Sequence, residues 1–328
     1  MLTLDAAAVR QSTPWHELIE AIERLLVEND ASVPQRDIHD VGLPDGGTGS
    51  LLVMPAWVDR EVLGVKAVTY YPSNAGTDLP TISAGYLLFD GQTGQLRAVL
   101  DGDELTLRRT AAVSALAADR LARPDASRLL VVGTGNLAPN LALAHVAVRE
   151  FDAVEVWGRS PQRAAATVQQ LVEHGLPALP ADTLDEAVGR ADVISCATGA
   201  TSPLVRGALV QPGTHIDLVG AFRADMREAD EEAIRQATLF VDTLDGALGA
   251  GDLAQPLDAG VISVGDIAAD LASLAALRHP GRTSDSEITL FKSVGFALSD
   301  LAAARVILDR MDSAGDGLGG QMARSERL

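Results

Sequence analysis

The sequence predicts an α/β protein whose core is a doubly wound parallel sheet, and three observations carry that prediction. Leu129-Leu130-Val131-Val132 is a short, wholly apolar run of the kind found in strands buried on both faces. Gly133-Thr134-Gly135-Asn136-Leu137-Ala138 follows at once and matches G-x-G-x-x-G/A. From there to about residue 289, strand-like and helix-like segments alternate, which implies a parallel sheet covered on both sides.

Composition sets the outer bounds. A chain of 328 residues suggests two domains, and 47% hydrophobic with 22% charged residues is enough for a substantial core. The net charge of -19 argues against nucleic acid and against anionic membranes as partners. An anionic small molecule remains compatible only where cations are concentrated locally against that field. The single cysteine, Cys196, excludes an intrachain disulfide and fits a reducing, cytoplasmic setting. It reads as a buried small hydrophobe rather than a nucleophile. The N-terminal stretch lacks the basic and apolar regions of a signal peptide, and no apolar run reaches the ~20 residues of a membrane span. A soluble protein is therefore expected.

The elements follow in order. Trp15 to Glu28 carries Leu18, Ile22, Leu25 and Leu26 at helical spacing after Thr13-Pro14. Strands are expected over 50–56, 62–71 and 84–90, and a Gly91-Gln92-Thr93-Gly94 turn leads into another over 95–101. An Ala-rich helix spans 105–121 and stops near Pro124. After the strand at 129–132, helices are expected over 137–150, 161–173 and 184–190. Strands are expected over 153–157, 192–197, 215–219 and 239–242. A last strand, 288–291, precedes an amphipathic helix over 295–311. The Gly- and Ser-rich tail 312–328 reads as disordered.

The motif between strand and helix has a physical purpose at each position, and the strand–motif–helix context makes it a Rossmann dinucleotide site. Gly133 allows the tight turn, Gly135 lets the backbone approach a pyrophosphate, and Ala138 keeps helix and strand close. Thr134, Asn136 and Leu137 complete the loop, whose helix N-terminus offers free N–H groups to phosphate. An NAD-selective site places a carboxylate ~20 residues on. Here the second strand ends Trp157-Gly158-Arg159-Ser160, and Glu155 is expected to point into the strand. Arg159, Ser160 and Arg163 could hold a 2′-phosphate, so NADPH is the expected cofactor and NADH the alternative. Thr198 after one strand, and Val219 and Gly220 after another, are expected to line the nucleotide, because ligands of open α/β sheets sit at strand carboxyl ends. No metal site is expected, since none of the six histidines has ligand spacing.

Taken together, several segments resemble the ornithine cyclodeaminase/mu-crystallin family. They are Val33-Pro34-Gln35-Arg36, Met54-Pro55-Ala56, Gly64-Val65-Lys66-Ala67-Val68, Leu79-Pro80-Thr81, Leu105 to Ala112, the glycine motif, and Ser293-Val294-Gly295-Phe296-Ala297. The resemblance implies a homodimer with an α+β domain that binds substrate and dimerises, formed by 1–123 together with 290–320, beside a Rossmann domain over 124–289. It also implies a small 2-amino or 2-imino acid substrate whose carboxylate is held by Arg36, Lys66 and Arg109, with Met54 and Thr81 nearby. Thr110, Ser293 and Gly295 are implied on the cofactor side. The residues agree: a strongly acidic chain needs such a cluster for an anion, and Lys66 interrupts an apolar strand, where a charge must be paired or functional.

One departure is informative. Where cyclodeaminases of the family carry a proton-transferring aspartate in a Gly-x-Asp loop, this chain has Gly220-Ala221-Phe222. Phenylalanine exchanges no proton. Asp225 or Glu228 would substitute only after a loop shift, and Glu228 is expected rather to begin the next helix. The resulting expectation is reduction of a cyclic ketimine, 1-pyrroline-2-carboxylate or 1-piperideine-2-carboxylate, to L-proline or L-pipecolate. Lys66 and a pocket-lining Phe222 are the catalytic candidates. The alternatives are ornithine cyclodeaminase, an alanine-type amino-acid dehydrogenase, and a mu-crystallin-like NADPH-dependent ligand-binding protein.

Overall fold

The computed structural model describes residues 1–44 and 46–325, with the backbone alone over 314–325. The residues divide into two compact units, Met1–Arg109 with Ala297–Leu328, and Thr110–Phe296.

The first unit opens with β1 (Leu2–Leu4), α1 (Ala6–Gln11) and α2 (Trp15–Glu28). Then come β2 (Ala31–Ser32), β3 (Asp37–Gly42), β4 (Thr48–Val58), β5 (Val62–Tyr70), β6 (Ile82–Asp90) and β7 (Leu96–Asp101). Helix α3 (Gly102–Leu121) starts in this unit and ends in the second. The sheet runs β1-β7-β6-β5-β4-β2, with β3 also on β4. Its long strands are antiparallel neighbours in register, Met54 opposite Lys66 and Lys66 opposite Tyr86. The apolar stripe of α2 is buried through Leu18, Ile19, Ile22, Leu25 and Leu26, and Asn29 ends the helix in the left-handed conformation.

The second unit is the parallel sheet. Its elements are β8 (Arg128–Val132), α4 (Leu137–Val148), β9 (Ala153–Trp157), α5 (Pro161–Glu173), β10 (Ala178–Pro180), α6 (Leu184–Val188), β11 (Val193–Cys196) and β12 (His215–Leu218). Then follow α7 (Glu231–Gln236), β13 (Thr238–Val241), α8 (Leu244–Ala247), α9 (Gly251–Asp258), β14 (Ile267–Asp270), α10 (Leu271–Ala275) and β15 (Thr289–Lys292). The strand order is β10-β9-β8-β11-β12-β15-β13-β14, every pair parallel. The order reverses at β8, the position that in doubly wound sheets opens a ligand crevice. Alternate residues of β8 serve two cores. Leu130 and Val132 join one that holds Ile194, Ile216, Leu239 and Leu290, and Leu129 and Val131 join another with Ala138, Ala142, Val154 and Val156. This is why the strand is apolar throughout.

The last helix, α11 (Ala297–Ser325), belongs to the first unit, where it packs on α2, β4 and β5. Two expectations are corrected here. Residues 290–296 lie in the parallel sheet's unit, because β15 inserts between β12 and β13. The helix expected to stop at 311 continues to Ser325; no proline intervenes, and Asp312 is tied to Arg97 at 2.6 Å. Residues 326–328 of the expected disordered tail lie outside the described residues. No described helix is long and apolar enough to cross a membrane.

Candidate active site

The first unit gathers two of the expected cations, Lys66 and Arg109, around a carboxylate that the sequence does not single out. Lys66, 1% exposed in β5, donates from Nζ to Asp300 Oδ1 at 2.8 Å. Asp300 Oδ2 lies 2.7 Å from the same nitrogen, close enough for an ion pair but off the line of a hydrogen bond. Arg109 Nε donates to Asp300 Oδ1 at 2.8 Å, and its Nη atoms have no hydrogen bond among the described residues. Burial is the largest influence lowering the Lys66 pKa to about 8. Arg109 and Arg36 push it the same way, and Asp300 opposes them. Arg36 is therefore part of the same electrostatic cluster, and its guanidinium has no ion pair among the described residues.

The neighbours complete the cluster. Met54 is buried opposite Lys66. Tyr86, on the other side, is buried with its hydroxyl unpartnered, and burial together with Asp300 pushes its pKa well up. Thr81 sits just before β6, where its carbonyl accepts from Tyr71 N at 2.8 Å; among the described residues no hydrogen bond or ion pair ties it to the cluster. Of the arginine pair in α3, Arg108 is structural. It lies 3.4 Å over the Trp15 ring and donates to Thr13. The one local signal of Asp300 is that it is a lone acid among Ala and Leu at the start of a helical run, which names no partner.

In the second unit the glycine motif opens a cleft of about 720 Å³. Gly133, Thr134, Gly135, Arg159, Ser160, Arg163 and Thr198 line it as expected. So do Trp157 and Gly158 at the end of β9, and the 199–202 segment with Leu204. Gly133 has φ 130°, and a Cβ there would stand 2.5 Å from the Ala197 carbonyl oxygen. The turn therefore requires glycine. A Cβ on Gly135 would meet nothing within 4 Å, so the open space beside it is available to a ligand. Asn136 caps α4 without a side-chain bond, and within the first turn Ala138 N donates to the Gly135 carbonyl at 3.0 Å. Leu137 starts that helix, and Ala138 is buried against the sheet. These residues fit a dinucleotide.

Glu155 is removed from contention for a ribose. It is 4% exposed and accepts from Arg190, with Arg128 beside it. Ser160 caps α5 by accepting from Arg163 N at 3.3 Å. The guanidinium groups of Arg159 and Arg163 make no hydrogen bond or ion pair among the described residues, so both are available for an anion.

The remaining expected residues lie outside this cleft's lining. Thr110 is buried in α3. Val219 and Gly220 follow β12, and Ser293 and Gly295 follow β15. Asp242 fastens the last loop, accepting from Ser293 Oγ at 3.1 Å, Val294 N at 2.8 Å and Gly295 N at 2.7 Å. Phe222 is 47% exposed, and Asp225 is likewise exposed and paired with Arg223. Glu228 does not begin a helix: Asp230 caps α7, accepting from Ala233 N, while Glu228 is wholly buried at the ends of β11 and β12. Cys196 is buried, with its thiol pKa pushed well up by burial.

Comparison with known proteins identifies the family. The model of the ornithine cyclodeaminase/mu-crystallin family matches residues 1–315. A Delta(1)-pyrroline-2-carboxylate reductase from Paracoccus denitrificans is 41% identical over 300 residues, 89% of this chain and 92% of that protein. The solved structure of Thermococcus litoralis Delta(1)-pyrroline-2-carboxylate reductase with NADH and L-proline matches with a TM-score of 0.89 at 34% identity, covering 96% of this chain and 98% of the other. An archaeal alanine dehydrogenase dimer with bound NAD matches with a TM-score of 0.87 at 30% identity, covering 96% and 97%. The chain belongs to the ornithine cyclodeaminase/mu-crystallin family.

Proposed function

We propose that this protein, an NAD(P)-dependent oxidoreductase of that family, reduces a cyclic ketimine, 1-pyrroline-2-carboxylate or 1-piperideine-2-carboxylate, to L-proline or L-pipecolate. The observation that carries the reading is the surplus of cations about Asp300. In a chain of net charge -19, Lys66 and Arg109 share that acid in the first unit, and Arg36 acts electrostatically on Lys66. Such a concentration against the overall field suits a small carboxylate. Arg36 and the Nη atoms of Arg109 are free to grip it, and guanidinium geometry allows two N–H bonds to one carboxylate. Lys66, held cationic by Asp300, adds charge at the same place.

The bound nicotinamide cofactor would supply the hydride that adds to C2 of the imine, while a proton completes the amine nitrogen. Phe222 stands where the family's cyclodeaminases carry an acid, so the ketimine enters already formed. The free guanidinium groups of Arg159 and Arg163, and the engagement of Glu155 with Arg190, favour NADPH, with NADH as the second cofactor. We also propose a homodimer, with Met1–Arg109 and Ala297–Leu328 as the substrate-binding and dimerising part.

The test is NADPH oxidation with each ketimine, run in parallel with NADH and without ammonia, the product being identified as the L-amino acid. Oxidation with either ring is the expected result; none with both would discard the reading. The likeness to an alanine dehydrogenase supports a second reading, reductive amination of a 2-oxo acid. Turnover that depends on added ammonia would select it.

A further inference from the structure

We infer that Glu228 is a positioning residue that sets the wall of the nucleotide cleft and, from the same carboxylate, the segment leading to Phe222. The inference rests on the reading of the 720 Å³ cleft as the dinucleotide site. Glu228 is fully buried and far from any surface role. Its Oε1 accepts from Thr198 N at 2.7 Å and from Thr198 Oγ1 at 2.8 Å. Its Oε2 accepts from Gly220 N at 2.7 Å and from Ala221 N at 3.3 Å. One carboxylate thus clamps the ends of two adjacent parallel strands, β11 and β12.

The backbone of the same residue holds the other end of the cleft wall. Leu204 N and Val205 N donate to the Glu228 carbonyl at 2.8 and 2.9 Å, and Arg227 N donates to the Ala200 carbonyl at 2.8 Å. Thr198, Ala200 and Leu204 all line the cleft. The wall from 198 to 204 is therefore tied to residues 227–228 at both ends and in the middle. Glu228 is itself anchored, because Asp252 Oδ1 accepts from Glu228 N at 2.7 Å while Lys292 Nζ donates to Asp252 Oδ2 at 3.1 Å. The fit is tight at Gly220, where a Cβ would lie 2.1 Å from the Thr198 carbonyl oxygen and 2.6 Å from Glu228 Oε1.

All four groups on the carboxylate can donate to it, so a carboxylate with two accepting oxygens suits the position and an amide does not. Glu228→Gln must turn its NH2 either toward Gly220 N and Ala221 N or toward Thr198, where the hydroxyl can accept but the Thr198 N–H is left facing a donor. The matched control is Asp217→Asn, a buried acid-to-amide change in β12 whose partners are the hydroxyls of Ser114 and Ser195, which can reverse their hydrogen bonds.

NADPH affinity is read by quenching of tryptophan fluorescence, since Trp157 lines the cleft, with melting temperature and kcat at saturating NADPH measured on each variant. Glu228→Gln is expected to raise the NADPH Kd about tenfold or more, the loss of charge-assisted hydrogen bonds being felt at the wall. Asp217→Asn is expected to leave Kd unchanged. A Kd within twofold of wild type in Glu228→Gln, or an equal rise in Asp217→Asn, overturns the inference. If Glu228→Gln does not fold, Thr198→Val removes the hydroxyl's bond to Glu228 together with the 3.4 Å bond it accepts from Ala200 N. A several-fold rise in Kd is then expected, and an unchanged Kd overturns the inference. A wild-type protein that binds no NADPH would overturn the nucleotide reading itself and this inference with it.

Discussion

Asp300 Oδ2 lies 2.7 Å from Lys66 Nζ, and both side chains are at most 2% exposed. The other oxygen of that carboxylate holds Arg109, so two cations share one acid away from water. Removing the acid would leave Lys66 and Arg109 as buried like charges. Asp300→Asn is therefore expected to cost about 3–5 kcal/mol, the range for deleting one partner of a buried ion pair. Denaturant unfolding reads this directly, and a midpoint close to wild type would mean that water reaches the cluster.

The same pair sets a pH limit. Burial and the neighbouring arginines bring the Lys66 pKa from an ordinary 10.5 down to about 8, so its charge is present below that pH and lost above it. If cationic Lys66 helps hold the substrate anion, kcat/KM for the ketimine falls as pH rises through about 8, chiefly through KM. Lys66→Arg stays charged at every accessible pH, so the alkaline fall should vanish in that variant even if activity is lower. A pH profile identical in shape for both proteins would remove Lys66 from substrate binding.

How far the sequence reads into this molecule depends on how far apart in the chain the deciding groups lie. Helix α2 and strand β8 announce themselves because apolar spacing within a dozen residues fixes each. The cleft around Gly133 and Gly135 is legible for the same reason. Strand β3 is not, because Asp37–Gly42 is polar and mostly exposed, and it forms by pairing with β4. Asp300 and Glu228 escape differently: Asp300 meets a lysine 234 positions away, and Glu228 meets loops 30 and 8 residues off. Local pattern placed Glu228 at a helix start, whereas tertiary hydrogen bonding claims it for the strand ends. Lys66 marks the middle ground, since a charge inside an apolar strand signals a partner without naming it.

Cofactor choice can be separated from cofactor binding at the end of β9. Arg159 and Arg163 line the cleft with unpaired guanidinium groups, while Glu155 is occupied by Arg190. Replacing both arginines by alanine should raise KM for NADPH by about tenfold or more, one charge-assisted phosphate contact being worth about 1.5–3 kcal/mol, and leave KM for NADH nearly unchanged. Parallel kinetics with the two cofactors decide this. Equal loss for both would place the arginines on a feature that NADH and NADPH share.

The two outer glycines of the loop should fail in different ways when given a methyl group. A Cβ at Gly133 would press to 2.5 Å from the Ala197 carbonyl oxygen, on backbone at φ 130°, so Gly133→Ala strains the fold itself. A loss of about 1–3 kcal/mol in stability is expected, the usual cost of such backbone strain. At Gly135 the methyl group meets no protein atom within 4 Å, so Gly135→Ala should melt within about 2 °C of wild type, as neutral substitutions do. That methyl group would nevertheless stand where the pyrophosphate must approach the backbone. NADPH affinity should therefore fall at least tenfold, roughly 1.4 kcal/mol, without a change in stability. Calorimetric melting and a binding titration on the same preparations separate the two effects. Tight NADPH binding by Gly135→Ala would mean that the pyrophosphate does not lie against this turn.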